Sequence, residues 1–140
     1  MVYLDTSVLA AYYCPEAISV RAERAILRCE APAISRLVEV ELYSAVARKR
    51  REGKLSDADA NRIVTQFRIH LDDGCFRVFP VENEHFELAR DWIGQFVTPL
   101  RTLDALHLAL CFASDAVLLT ADAELGRAAR HFGVRTEFLS

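Results

Sequence analysis

The alternation of polar and apolar positions changes period several times along the chain, and each change marks an element. Val2-Tyr3-Leu4 is a short β-rich run, and Asp5-Thr6-Ser7 reads as its exit into a helix. From Glu16 to Cys29 the spacing is helical, with Ala22, Ala25, Ile26 and Cys29 on one side and Arg21, Glu23, Arg24 and Arg28 outward. Pro32 to Ser35 reads as a second short strand, and Arg36 to about Arg51 as a helix ended by Gly53. Ser56 to about Asp72 predicts another helix, with Ser56 or Asp57 as its cap and Gly74 closing it. Phe76 to Phe79 resembles a strand stopped by Pro80, and Asn83 to about Val97 is helical. Leu103 to Ala113 is helical and apolar nearly all round, Ala116 to Leu119 a buried strand, Asp122 to Phe132 a helix, and Arg135 to Phe138 a last strand. Short strands alternating with helices of ten or more residues imply an α/β sandwich with a mainly parallel sheet. With no internal repeat and no interdomain linker, residues 1–140 read as one domain.

Composition narrows the class. Apolar residues make up 52% of the chain and charged residues 26%, a globular balance and not that of a disordered tract. Cys14, Cys29, Cys75 and Cys111 form no C-x-x-C pair, so reduced, mostly buried thiols in a reducing compartment are expected, and no zinc site or disulfide framework. A strand beginning at Val2 leaves no room for a signal or transit peptide. The longest apolar stretch, Ala105 to Ala113, is interrupted by His107 and too short to span a bilayer. The expectation is a soluble, cytoplasmic protein. Its net charge of −3 points away from simple nucleic-acid coating, which needs a basic surplus against phosphates. A polyanion would have to be attracted locally.

The candidate chemistry lies in acids at strand exits. Asp5 follows the first strand, Asp122 follows the strand Ala116 to Leu119, and Asp104 opens the apolar helix. In open parallel sheets ligands bind beyond the carboxyl ends of the strands, where helix N-termini also gather and favour ionised carboxylates. Taken singly, Asp5 and Asp122 serve equally well as ordinary N-caps. Asp104 heads a helix apolar on every face, so its carboxylate should point into a protected cleft, where an unpaired charge neutralises, pairs or binds a cation. Glu41 interrupts an inward stripe that includes Val38 and Ala45, an uncommon place for an acid. If three or four of these acids converge, their repulsion calls for a divalent cation, and all-oxygen ligation selects Mg²⁺ or Mn²⁺. Thr6, Ser7 and Thr120 stand where they would orient carboxylates or metal-bound water, or else only cap and turn the chain. A metal held by acids at the mouth of an α/β sheet suits phosphodiester hydrolysis.

These residues also carry a resemblance. Tyr3-Leu4-Asp5-Thr6-Ser7-Val8-Leu9, Glu41-Leu42 with Ala45, Leu103-Asp104-Ala105-Leu106-His107-Leu108-Ala109, and Leu119-Thr120-Ala121-Asp122 with Leu125 resemble the PIN-domain nucleases, and among them the VapC toxins of VapBC toxin–antitoxin systems. The match runs essentially the full length, in order. It implies a PIN-like three-layer sandwich and an acidic pocket of Asp5, Glu41, Asp104 and Asp122. Asp5 and Asp104 would lead in holding Mg²⁺, with Mn²⁺ as substitute, and Glu41 and Asp122 would complete the site directly or through water. It further implies endonucleolytic cleavage of RNA (tRNA or rRNA), a homodimer, and neutralisation by a small VapB-like antitoxin. Glu124 competes with Asp122 for the last place; two residues apart on a helix they point about 200° apart, and Asp122 lies nearer the strand exit.

Outside the acids, Arg48, Lys49, Arg50, Arg51 and Lys54 form the densest basic run, placed either to complement a helix C-terminus or to grip phosphate beside the pocket. Arg101 is a second candidate for touching phosphate. His107, one turn after Asp104, reads as a hydrogen-bonded core residue and not a ligand. A competing class is a non-catalytic PIN-like module that binds RNA or protein, whose acids only cap helices. A phosphotransfer domain fits less well, since no lysine follows the later strands, and no glycine-rich phosphate loop occurs.

Overall fold

The computed structural model describes residues 1–140. Strand β1 (Val2–Leu4) leads into α1 (Thr6–Tyr13) and α2 (Ser19–Leu27); β2 (Pro32–Ser35) is followed by α3 (Arg36–Arg51) and α4 (Asp57–Asp72). Strand β3 (Arg77–Phe79) precedes α5 (Asn83–Ile93) and α6 (Thr102–Ser114), and β4 (Val117–Thr120) precedes α7 (Ala123–His131) and β5 (Thr136–Phe138). The five strands form one sheet in the order β3-β2-β1-β4-β5, and every pairing is parallel. The chain steps outward from β1 to β3, then crosses back to β4 and β5. Right-handed crossovers therefore put α1–α4 on one face and α5–α7 on the other. This is the expected α/β three-layer sandwich.

Covered on both faces, the central strands need apolar residues at consecutive positions. Tyr3, Leu4, Ala33, Ile34, Leu118 and Leu119 are accordingly buried. Leu42 and Val38 of α3, Phe67 of α4, and Leu106, Leu108 and Leu110 of α6 close the core from the helices. The edge strands are short, and Arg77 on one and Glu137 on the other are exposed, which discourages further strand pairing.

The differences from the expected elements have local causes. The second helix starts at Ser19 and not at Glu16, because the Ser19 hydroxyl accepts from the Glu16 N–H and donates to the Cys14 carbonyl, turning the chain first. The fifth helix stops at Ile93, short of Val97, with Gly94 as its cap and Phe96 in the left-handed region at φ 57°. All four cysteines are free; Cys14 and Cys111 are buried, but Cys75 is exposed, against the expectation of mostly buried thiols. No helix is long and apolar enough to cross a membrane.

Candidate active site

The strand order reverses between β1 and β4, and in such sheets the crevice outside the carboxyl ends of that pair is where ligands bind. Asp5 and Asp122 leave the sheet at this point. The Asp5 N–H still donates to the Leu119 carbonyl (3.1 Å), so the two strand ends are held side by side. Asp5 is buried, and both of its carboxylate oxygens bond the scaffold. Oδ1 accepts from the Ser7 and Val8 backbone N–H groups (2.8 and 3.3 Å) and from the Ser7 hydroxyl (2.5 Å); Oδ2 accepts from Thr120 (2.6 Å). Burial nevertheless holds its carboxyl above the usual range, opposed by the Ser7 and Thr120 hydrogen bonds. Ser7 also accepts from the Ala121 N–H (3.0 Å), and Thr120 from the Asp122 N–H (3.0 Å), so the two hydroxyls stitch α1 to the exit of β4. Capping and orienting, posed as alternatives by the sequence, are both done by the same atoms.

Glu41 enters from α3. Its Oε1 accepts from Thr6 (2.9 Å) and meets Nε2 of His107 at 2.5 Å. Burial acts to raise its carboxyl, but the bonds to His107 and Thr6 prevail, and it lies below the ordinary glutamate range. His107 is buried and bonded at both ring nitrogens, the second being Nδ1 to the Tyr3 hydroxyl at 2.7 Å. The reading of His107 as a satisfied core residue agrees with this, but its partner is a site residue, which the sequence did not disclose. The available signal was a lone polar side chain on an all-apolar helix, since such a group must have a partner.

Asp104, in the first turn of α6, is half-buried and accepts no hydrogen bond from any protein group. Burial raises its carboxyl, and the charges of Asp122 and Glu41 raise it further, against His107 and Arg101. Asp122 caps α7, accepting from the N–H groups of Glu124 and Leu125 at Oδ1 (2.9 and 3.1 Å). Glu124 is exposed and is not among the charges that act on Asp104.

A cleft of about 580 Å³ opens beside these acids, lined by Thr6, Ser7, Glu41, Ser44, Leu103 and Ala121, and by Arg48 and Lys49 from the last turns of α3. The basic run thus divides. Arg50 pairs with Asp57, away from the cleft lining, and Lys54 and the cleft-lining Arg48 share Glu52 (3.0 and 3.7 Å), whereas Lys49 meets Glu16 at 3.1 Å across the cleft.

The carboxylates are less crowded than the sequence suggested: no three His, Cys, Asp or Glu side chains gather closely enough to hold one ion between them. The donor set still fits a hard cation. No Lys or Arg forms an ion pair with Asp5, Glu41, Asp104 or Asp122. Oε2 of Glu41, Oδ2 of Asp122 and both oxygens of Asp104 accept no hydrogen bond. Mg²⁺ asks for little more, because it keeps several waters and takes only one or two carboxylates directly.

A five-stranded parallel sheet between two helical layers, with acids at its reversal point beside a cleft, defines the class as an α/β three-layer sandwich. The family model describing the PIN domain matches residues 2–131, and the chain belongs to that family. Among solved structures, it is similar to VapC20 of Mycobacterium tuberculosis, a sarcin–ricin-loop-cleaving toxin, with a TM-score of 0.74 and 20% identity over 91% of this chain and 95% of that one. VapBC2 of Rickettsia felis, bound to a DNA fragment from its promoter, gives a TM-score of 0.69 at 18% identity, covering 100% of both chains. FitAcB of Neisseria gonorrhoeae gives 0.70 at 18% identity, covering 99% of this chain and 97% of that one. Among curated proteins, no sequence matches.

Proposed function

We propose that this PIN-domain protein is a divalent-metal-dependent endoribonuclease and the toxin of a toxin–antitoxin pair. One observation carries the reading: Asp104 stands half-buried beside the cleft with no hydrogen-bond donor and no ion-pair partner, and burial and the charges of Asp122 and Glu41 raise its carboxyl against His107 and Arg101. A group so placed is costly as an anion unless a cation joins it. The cleavage of RNA and the pairing with an antitoxin are supported by the folds it shares with VapC20, VapBC2 and FitAcB.

Asp5 and Asp104 would hold Mg²⁺ or Mn²⁺, with Glu41 and Asp122 joining directly or through water. When bound, such an ion acidifies water at neutral pH and offsets charge on the phosphate oxygens. The protein's own part is positional. Ser7 and Thr120 fix Asp5, Thr6 and His107 fix Glu41, and Arg48 and Lys49 give an acidic protein a local grip on phosphate. The reading implies a VapB-like antitoxin that covers the cleft. It also implies a homodimer, for which the exposed Phe96, Val97 and Phe112 offer apolar surface.

The purified chain should cleave RNA with Mg²⁺ or Mn²⁺ and lose all activity in EDTA, and its expression should arrest growth. Mn²⁺ should also raise the melting temperature, since at 100-fold excess over Kd a ligand of the native state adds about 2.7 kcal/mol. A second reading, a non-catalytic PIN-like module, is favoured by the caps that Asp5 and Asp122 form. It predicts no shift with Mn²⁺ and no cleavage.

A further inference from the structure

Behind Glu41 runs a line of buried polar side chains drawn from three other elements. The Ser35 hydroxyl at the end of β2 meets the Tyr3 hydroxyl of β1 at 2.7 Å; Tyr3 meets Nδ1 of His107 at 2.7 Å; Nε2 of His107, on α6, meets Glu41 of α3 at 2.5 Å. Ser35, Tyr3 and His107 are all buried. Ser35 caps α3 in name only, because its side chain bonds no backbone N–H there. The direction of the protons follows from counting donors. Ser35 has no other partner, so its O–H donates to the Tyr3 oxygen, the Tyr3 O–H donates to Nδ1, and the Nε2 proton is left for Oε1 of Glu41. Every hydrogen in the line then has an acceptor, and the line ends on a single atom of the candidate site.

We propose that His107 is a positioning residue for Glu41, and that the Ser35–Tyr3–His107 line clamps Oε1 so that Oε2 stays free for a divalent cation at the cleft. The inference rests on the metal-dependent reading above. A glutamate has three rotors, and ordering a long polar side chain is entropically costly. Here Thr6 (2.9 Å) and His107 seize the same oxygen from two sides before any ion arrives. If the core needed only filling, apolar residues of similar volume would serve without two hydroxyls and an imidazole to satisfy. Outer partners that orient a ligand typically govern metal affinity by about 10–100-fold.

The test is Mn²⁺ affinity by calorimetry on the folded full-length chain, below its melting transition. Tyr3→Phe removes one oxygen remote from the cleft and should weaken Mn²⁺ binding about tenfold; His107→Leu should weaken it at least as much, and His107→Gln, which keeps an amide donor, should recover most of the loss. In a Glu41→Ala background, Tyr3→Phe and His107→Leu should have no further effect, since a residue that acts only through Glu41 has nothing left to act on. Should His107→Leu fail to fold, Tyr3→Phe decides alone. Wild-type affinity in Tyr3→Phe, or an equal loss with Glu41 absent, overturns the positioning role and leaves the metal reading standing. Failure of the wild-type chain to bind Mn²⁺ at all overturns both.

Discussion

Asp5 and Asp104 stand next to Thr6 and Leu103, which line the same cleft, and the fold treats the two acids in opposite ways. Asp5 accepts hydrogen bonds from Ser7, Val8 and Thr120, caps α1, and ties β1 to β4. Asp104 accepts none, and the charges of Asp122 and Glu41 add to the effect of burial on it, against His107 and Arg101. Burial raises both carboxyls, yet only Asp5 has donors that work against it. One acid is part of the scaffold whether or not an ion is present. The other is a cost to the metal-free fold. On the proposed metal-dependent reading, the satisfied member would supply the geometry of the site and the unsatisfied one its appetite for a cation.

The comparison is sharpest when both acids are replaced by alanine. Cleavage of RNA should fall about 10²-fold or more in Asp5→Ala and in Asp104→Ala, the rate equivalent of several kcal/mol of charge stabilisation. A single-turnover assay on a labelled RNA measures this, and undiminished cleavage in either variant removes that acid from the site. Stability should then separate them. Asp5→Ala deletes an N-cap, at about 1 kcal/mol, and leaves the buried Thr120 hydroxyl without its acceptor, at about 1–3 kcal/mol. Denaturant unfolding should show a loss of about 2–4 kcal/mol; a loss below about 0.5 kcal/mol would mean that the network around Asp5 is not structural.

Much of this was legible in the chain because its signals are local. The change of period at Asp5 and after Thr120 marks strand exits. The all-apolar α6 isolates Asp104, and the broken stripe of α3 isolates Glu41. Element ends that depend on one side chain were harder. The hydroxyl of Ser19 reorganises the turn before α2, and the left-handed Phe96 follows an α5 whose helical pattern runs on past Ile93. Least legible was the Tyr3–His107–Glu41 line, whose members are separated by 104 and 66 positions. Period and composition say that a buried histidine needs partners but not which ones, because register between distant elements is set by packing across the sheet. The looseness of the acid cluster was hidden for the same reason: sequence places acids at strand ends, and side-chain torsions decide their spacing.

The smallest effect is also the most diagnostic. In the metal-free protein, Asp104→Ala should not destabilise and should raise the melting temperature by about 2–4 °C at neutral pH, the shift that about 1 kcal/mol produces in a chain of this size. The sign follows from the raised carboxyl. Where pH is low enough to protonate Asp104 in the folded and unfolded chain alike, its charge costs nothing, and the variant has no advantage on this account. As pH rises, the unfolded chain releases the proton first and the folded chain retains it, so the wild type loses stability through that interval, and the loss is complete once the folded carboxyl ionises. The difference in melting temperature between variant and wild type should therefore grow from acid to neutral pH and then level off. Saturating Mn²⁺ should reverse its sign, because only the wild type keeps the full site. A difference that stays constant with pH would show that the Asp104 carboxyl is not raised in the folded chain, and one that falls with pH would show that it already has a partner; either way the contrast with Asp5 would fail.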